Sequence, residues 1–196
     1  IPAALLVEGP CRIENIPAID DVDLLLNILK DLGASVRMIN RTTVEVDCTA
    51  VRCQTVPYEA GRRLRASYYL LGAMLGRFGQ AEVPLPGGCD FGSRPIDQHL
   101  KGMAALGAEV KVEKGYMCAA TEDGRMRGSH IYLDVASVGA TMNLMLGAVL
   151  AKGSTVIENT AKEPHIVDLA NFLNSMGADI TGAGTDMIKI RGVDKL

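Results

Sequence analysis

The chain has 196 residues, which suffices for one or two domains and for a hydrophobic core that needs no disulfide or metal. Its 20 Lys and Arg and 23 Asp and Glu give a formal net charge of −3, which argues against a generally basic, nucleic-acid-binding surface. Hydrophobic residues make up 48% and aromatic residues 4%, so intrinsic disorder and base-stacking platforms are both disfavoured.

The first predicted elements are the end of an apolar helix, a glycine and a strand, all within Ala3–Asn15. Leu24–Val36 (LLLNILKDLGASV) then has apolar residues at helical spacing and closes with Leu-Gly-Ala, which is typical of a helix that ends at a glycine. A strand follows directly, and a further strand is predicted at Thr43–Asp47. The order of elements is therefore helix, strand, helix, strand, strand.

The same order recurs in residues 50–122 and again in residues 123–196. The predicted inner helices of these two units are Arg62–Phe78 and Val138–Ala151. The outer helices, each with the strand that follows it, are Leu100–Val110 and Leu169–Ile180. The closing strands are Tyr116–Ala120 and Met187–Arg191. Both inner helices are apolar around most of their circumference, which indicates burial on all sides rather than one buried face.

The closing glycines of the three outer helices, Gly33, Gly107 and Gly177, are separated by 74 and 70 residues. A period this long indicates stacked structural units. We therefore predict an α/β (α+β) fold in which residues 1–196 form one domain of three repeated units, approximately 1–49, 50–122 and 123–196. Three internal helices should be surrounded by sheets and outer helices. Since the chain opens at Ile1, near the end of the first inner helix, we expect it to be an N-terminally truncated piece of a longer protein.

One segment of the second unit, Pro84–Pro95 (PLPGGCDFGSRP), interrupts the repeat. Its three glycines give the backbone unusual freedom, and prolines stiffen its two ends. Cys89 lies among these glycines, and the nearby Arg94 would favour the reactive thiolate. The residues alone leave open whether Cys89 is functional or an incidental loop thiol.

The cysteine pattern indicates a reduced, cytoplasmic protein. The five cysteines are odd in number and contain no C-x-x-C pair, which argues against a disulfide framework and a zinc knuckle. Cys11, Cys48, Cys53 and Cys118 fall in or beside predicted strands and are interpreted as structural. No His, Cys and carboxylate cluster has the spacing of a metal site, and His99 and His130 are interpreted as polar surface or helix residues. No uncharged apolar run reaches the roughly 18 residues of a membrane span, so no membrane partner is expected.

The stretch 65–110, which contains LPGGC-x-x-G-x-RP, closely resembles the UDP-N-acetylglucosamine 1-carboxyvinyltransferases. The similarity continues through SVGATMNLML and IENTAKEPHIVDLANFLNSMGADI and covers essentially the whole chain. It implies the inside-out α/β barrel of the enolpyruvyl transferases, whose two domains each contain three such units. This chain would be most of the first domain, and the second domain would be absent.

The resemblance also implies an activity. These enzymes transfer enolpyruvyl from phosphoenolpyruvate to the 3′-hydroxyl of UDP-N-acetylglucosamine and release phosphate, which is the first committed step of peptidoglycan biosynthesis. The reaction needs no cofactor and no metal. It requires closure of the second domain over the substrates, so these residues alone are expected to be inactive.

The resemblance assigns catalysis to Cys89, which matches the cysteine that delivers a proton to C3 of phosphoenolpyruvate and that fosfomycin alkylates. Arg94 matches an arginine that meets the phosphate and the sugar nucleotide, and Arg65 matches another arginine of the substrate site. A guanidinium suits both roles because it binds phosphate through two parallel hydrogen bonds.

Further substrate-binding residues are implied by the resemblance in three segments. They are Pro95, Ile96, Asp97 and Gln98, which match a nucleotide-binding run; Ser137, Val138 and Gly139, which match a diphosphate site; and Glu163, which matches an acidic residue near the site.

Two of these assignments have simpler alternatives. Asp97 could be an ordinary first-turn acid, as Asp23 and Asp168 in the sister helices suggest. Ser137 could simply cap its helix, although a capped helix start also favours an anion. Some relatives have Lys where this chain has Val135, so a direct cation to the diphosphate is missing or replaced.

Three alternative functions remain at this point. A 5-enolpyruvylshikimate-3-phosphate synthase would share the architecture, but the Cys89 loop and the SVGAT segment argue against it. A non-catalytic or regulatory module that binds nucleotide sugars would also fit the residues. An RNA-processing protein built on related repeats is disfavoured by the acidic balance and the few aromatic residues.

Overall fold

The computed structural model describes residues 1–85 and 96–196. Its first unit is a three-stranded sheet with one short inner helix and one outer helix. In chain order its elements are a 3₁₀ helix (Pro2–Leu6), β1 (Pro10–Ile13), α1 (Asp20–Asp31), β2 (Ser35–Asn40) and β3 (Thr43–Asp47). The closing strand β3 lies in the centre and pairs antiparallel with both β1 and β2. Four consecutive residues of the 3₁₀ helix, from Ala3 to Leu6, are buried, so this helix belongs to the core.

The second unit repeats this sheet with a longer inner helix. Its elements are α2 (Tyr58–Arg63), a 3₁₀ helix (Arg65–Tyr68), α3 (Tyr69–Phe78), β4 (Gln80–Pro84), α4 (Asp97–Ala105), β5 (Ala108–Glu113) and β6 (Tyr116–Thr121). The strand order is β4-β6-β5, again with the closing strand in the centre.

The prediction of one continuous helix over Arg62–Phe78 is wrong. Leu64 has extended backbone angles, φ −126° and ψ 117°, and separates α2 from the 3₁₀ helix that leads into α3. Ser137 has nearly the same angles, φ −124° and ψ 117°, directly before the inner helix of the third unit. Leu64 therefore takes the conformation of a residue that precedes a helix, although its side chain cannot cap one.

The third unit adds a strand that the sequence did not predict. Its elements are β7 (His130–Tyr132), α5 (Val138–Ala148), β8 (Ser154–Glu158), α6 (Pro164–Ser175), β9 (Asp179–Thr181) and β10 (Met187–Arg191). The strand order is β7-β8-β10-β9, and β7 pairs parallel with β8. With three residues, β7 is too short to show a period of two in the sequence. A single parallel bridge between Thr55 and Glu82 repeats this pairing in the second unit.

The predicted fold class and the predicted closing strands are confirmed, since β3 and β10 have the expected bounds and β6 ends one residue later. The three closing glycines have φ of 104°, 91° and 104°, the left-handed conformation that ends a helix. The two longer inner helices are buried on all sides, with unbroken buried runs from Leu70 to Gly76 and from Gly139 to Thr141.

The inner helices α3 and α5 cross at a very short distance. At Gly72, a Cβ atom would overlap the main-chain oxygen of Asn143, so only glycine fits there. Asn143 is fully buried, and its side chain joins the helices: Oδ1 accepts from the Gly72 amide at 2.9 Å and Nδ2 donates to the Tyr68 carbonyl at 3.1 Å. Both polar ends of the buried amide are therefore satisfied.

The four cysteines interpreted as structural differ in their burial. Cys11 and Cys48 are buried, and Cys118 is half-buried in β6. Cys53 is exposed, and its thiol donates to the Thr55 carbonyl at 3.4 Å. It lies in the irregular connection between β3 and α2, where no sheet neighbour covers it.

Across the two described stretches of the chain, none of the helices combines the length and the apolar character that a bilayer crossing demands.

Candidate active site

An open cleft of about 770 Å³ lies where the extended Leu64, the start of α4 and the start of α5 meet. Six residues predicted to bind substrate line it: Arg65, Asp97, Gln98, Ser137, Val138 and Gly139. Three separate parts of the sequence thus converge on one cleft, and each contributes from the first residues of a helix.

Two other predicted site residues, Ile96 and Glu163, do not line this cleft. Ile96 precedes α4 and packs, half-buried, against the hydrophobic core. Glu163 lines a neighbouring depression of about 530 Å³, which shares only Ala136 with the cleft. Cys89, Arg94 and Pro95 lie outside the described residues.

The start of α5 is built to receive a negative charge. Ser137 caps the helix, since its Oγ accepts a hydrogen bond from the Ala140 amide at 3.3 Å, and its carbonyl accepts from Thr141 at 2.9 Å. The amides of Val138 and Gly139 belong to the first turn, which has no intrahelical acceptors, and these two residues line the cleft. Free amides and the positive end of the helix dipole together favour an anion. The capping role and the anion-site role of Ser137 are therefore compatible.

The Gln98 side chain holds two walls of the cleft together. Its Oε1 accepts from the Asp134 amide at 2.9 Å, and its Nε2 donates to the Asp134 carboxylate at 3.1 Å. Lys101 donates to the same carboxylate at 2.7 Å, which fixes α4 against the segment leading into α5. The Gln98 side chain is thus used for contacts within the protein.

Asp97 differs from the sister acids to which the sequence compared it. It is the first residue of α4 and lines the cleft, whereas Asp23 and Asp168 are the fourth and fifth residues of α1 and α6. Its Oδ2 accepts from Gln98 Nε2 at 3.2 Å, which leaves lone pairs available to a ligand.

His99 is a helix residue, within α4, and it is buried, with only 5% of it exposed. Its ring meets the edge of Tyr68 at a centroid distance of 5.0 Å. Neither ring nitrogen has a hydrogen-bond partner among residues 1–85 and 96–196. Burial, followed by the positive charge of Arg65, lowers the pKa of His99 to about 4, so the imidazole is neutral at pH 7.

This buried imidazole predicts a loss of stability in mild acid. Below about pH 6.5 the unfolded chain binds a proton at this position, but the folded chain does not until about pH 4. The free energy of unfolding should therefore fall as pH drops through this window, by roughly 2 kcal/mol between pH 7.5 and 5. Urea unfolding at the two pH values measures the difference, and the variant His99→Phe should lose this component. The matched control His165→Gln, at an exposed position, should retain it. An equal pH dependence of the wild-type protein and His99→Phe would contradict the prediction.

Sequence reasoning missed several cleft residues that can donate or accept hydrogen bonds, among them Asp21, Arg63, Tyr68 and Tyr69. The two tyrosine rings lie 4.7 Å apart, and the Arg65 guanidinium lies 5.9 Å from the centre of the Tyr68 ring. Burial raises the pKa of Tyr69 above its usual range, so this phenol stays protonated. The paired tyrosines three and four residues after Arg65 were a signal that could have been found, because they place two polar-tipped aromatic residues near the start of an apolar helix.

No group of three or more potential metal ligands occurs in the part of the chain that the structure describes.

The three repeated units and the cleft at their helix starts define a domain of the enolpyruvyl transferase type. The family model for EPSP synthase (3-phosphoshikimate 1-carboxyvinyltransferase) matches residues 1–196, and the chain belongs to this family. Among solved structures, the enolpyruvyl transferase NikO from Streptomyces tendae is similar, with a TM-score of 0.82 and 26% sequence identity. The superposed region covers 98% of this chain and 45% of the NikO chain. EPSP synthase from Acinetobacter baumannii, at 18% identity and a TM-score of 0.72, covers 100% of this chain and 45% of its own and shares the fold.

The curated relatives point to one branch of the family. The chain is 55% identical over 196 residues to UDP-N-acetylglucosamine 1-carboxyvinyltransferase 3 of Caldanaerobacter subterraneus subsp. tengcongensis. The aligned region covers 100% of this chain and 46% of the relative. The chain is 54% identical to UDP-N-acetylglucosamine 1-carboxyvinyltransferase 2 of Bacillus subtilis, covering 100% of this chain and 45% of the relative. The chain spans about half the length of the curated relatives it matches.

Proposed function

We propose that this chain forms the cysteine-bearing half of an enzyme that transfers enolpyruvyl from phosphoenolpyruvate to the 3′-hydroxyl of UDP-N-acetylglucosamine, with release of phosphate. The observation that carries the proposal is the single cleft that collects Arg65, Asp97 and the first turn of α5. The names of relatives at 54% and 55% identity favour this substrate pair over shikimate 3-phosphate.

The cleft supplies the binding chemistry that these substrates need. Both are anionic, and both the Arg65 guanidinium and the α5 amides favour phosphate groups. Asp97 provides a carboxylate that can accept hydrogen bonds from a sugar or a base. The neutral imidazole of His99 and the Tyr68 ring give the cleft a partly apolar floor, which excludes water from bound phosphates and strengthens their charge interactions.

In the proposed reaction, the sugar 3′-oxygen attacks C2 of phosphoenolpyruvate while C3 receives a proton from the Cys89 thiol. A thiol with an ordinary pKa near 8.5 is mostly protonated at pH 7 and can act as the acid. The proton of the 3′-hydroxyl would pass to a base of the second domain. The resulting tetrahedral intermediate then loses phosphate from C2 and a proton from C3, which the Cys89 thiolate would take back, and the enol double bond is restored. Arg94, in the same loop, would meet the phosphate.

The pathway, the cellular location and the need for a second domain follow from the same proposal. The product belongs to peptidoglycan biosynthesis, which places the enzyme in the cytoplasm and links it to growth and division of the cell wall. Since the relatives are about twice as long as this chain, we infer that a second domain covers the cleft and contributes further groups. Fosfomycin would inactivate the enzyme by alkylating Cys89.

Phosphate release by the protein expressed from its complete reading frame tests the proposal. Turnover should require both phosphoenolpyruvate and UDP-N-acetylglucosamine, and residues 1–196 alone should show negligible turnover. Turnover with shikimate 3-phosphate in place of the nucleotide sugar would instead establish the alternative synthase. Binding of UDP-N-acetylglucosamine with no phosphate release would establish a non-catalytic module.

A further inference from the structure

The interruption of the inner helix at Leu64 places two arginines side by side. In an extended backbone, residues on either side of a given position point to the same face, opposite to the residue between them. Leu64 is extended and only 3% exposed, so its side chain is buried. Arg63 and Arg65 accordingly point the other way, and both line the cleft. In the continuous helix that the sequence suggested, they would lie roughly 200° apart around the axis.

The backbone around this pair is held firmly. The Ser67 hydroxyl, which is fully buried, donates to the Gly61 carbonyl at 2.7 Å and so joins the two sides of the break. Gly61 itself packs against β4, because a Cβ atom there would lie 2.7 Å from the Pro84 ring. The positions of the two arginines are therefore set by the fold before any ligand arrives.

The distribution of charge shows what the pair is available for. Among the described residues, the cleft is lined by two basic side chains of lysine or arginine type, Arg63 and Arg65. Neither forms an ion pair with a described residue. The segment leading into α5 contributes Val135, which is 66% exposed and carries no charge. Among residues 1–85 and 96–196, the positive side-chain charge of the cleft is thus on the wall next to Leu64.

We propose that Arg63 is a second substrate-binding arginine, which holds the diphosphate of the nucleotide sugar together with Arg65. Side chains two residues apart on extended backbone are about 6–7 Å apart, a span that adjacent phosphate groups can bridge. Each guanidinium offers a planar fork that binds phosphate through two hydrogen bonds. This inference rests on the proposed function, because it names the group of the proposed substrate that Arg63 recognises.

The neighbouring Arg62 provides a matched control. It is also exposed and lies one residue earlier in α2, but its guanidinium stacks over the Tyr58 ring at 5.2 Å and it does not line the cleft. In the protein expressed from its complete reading frame, Arg63→Ala should raise KM for UDP-N-acetylglucosamine about tenfold. KM for phosphoenolpyruvate and kcat should change less than about twofold, and Arg62→Ala should leave all three values unchanged.

Two additional variants test the charge itself. Arg63→Lys should recover part of the lost affinity, and adding Val135→Lys to Arg63→Ala should do the same from the other wall of the cleft. Equal KM values for Arg63→Ala and Arg62→Ala would overturn the inference, as would a rise confined to the KM for phosphoenolpyruvate. Calorimetric titration with UDP-N-acetylglucosamine distinguishes failure of the proposed function from failure of the role of Arg63. If the wild-type protein does not bind the nucleotide sugar, the proposed function is rejected. If it binds and Arg63→Ala binds equally well, only the role of Arg63 is rejected.

Discussion

Replacing Gly72 with alanine is expected to lower the free energy of unfolding by about 3 kcal/mol. The new methyl group would overlap the main-chain oxygen of Asn143 and lie 2.8 Å from its Oδ1. Because the neighbour is backbone of α5, relief requires that the two inner helices move apart. That movement would stretch both hydrogen bonds of the fully buried Asn143 side chain, at 2.9 and 3.1 Å.

Gly147 offers the control, since it is also a glycine inside an inner helix. A Cβ atom there would meet the Met126 methyl at 3.3 Å and the Met103 sulfur at 3.6 Å, and both are flexible ends of methionine side chains. Gly147→Ala should therefore change stability by less than about 1 kcal/mol, because the gain in helix propensity offsets the mild crowding. Urea unfolding of both variants measures the contrast, and equal losses would show that the crossing of α3 and α5 does not set the stability.

The repeated order of elements could be predicted because each unit carries a strong local signal. The apolar spacing of the outer helices and the glycines that close them specify helix ends, and alternating residues specify β3, β6 and β10. The crossing of the inner helices could not be predicted. Gly72 and Asn143 lie 71 residues apart in the chain, and the sequence around Gly72 shows only that it is apolar.

The break at Leu64 shows a different limit of sequence reasoning. Residues 62–78 have a continuous helical pattern with no proline, so local propensity favours one helix. Packing overrides it, because the extended Leu64 buries its side chain and the Ser67 hydroxyl satisfies the Gly61 carbonyl across the break. The same override brings Arg63 to the cleft, which is why this residue was missed.

The candidate site residues came from the family resemblance, and those that meet in the cleft lie at the start of a helix. Arg65, Asp97 and Ser137 each begin or precede a helix, and the fold directs these ends to one cleft. Glu163 also precedes a helix, α6, but it lines the neighbouring depression. A position at the start of a helix therefore does not determine by itself which cleft a residue lines, because this depends on how the units are arranged.

The largest effect on activity is expected at Cys89. Cys89→Ser should lower kcat by about 100-fold or more, because the serine hydroxyl is a far weaker acid than the thiol that would protonate C3. Binding of UDP-N-acetylglucosamine should stay within about threefold of the wild-type value, since Arg65, Asp97 and the start of α5 remain in place. Steady-state kinetics and calorimetric titration of the protein from its complete reading frame measure these two quantities. An unchanged kcat would reject Cys89 as the proton donor.

The other thiols make fosfomycin alkylation a selective test of the same residue. Burial raises the pKa of Cys11, and it raises the pKa of Cys48 to about 11, so at pH 7.5 less than roughly one Cys48 thiol in 1,000 is ionised. Partial burial, followed by the negative charge of Glu82, also raises the pKa of Cys118. Cys53 is exposed and is therefore the informative control. With UDP-N-acetylglucosamine present, peptide mapping should find the fosfomycin adduct on Cys89. The variant Cys53→Ser should be inactivated at the wild-type rate. An adduct on Cys53 that persists in Cys89→Ser would contradict the assignment.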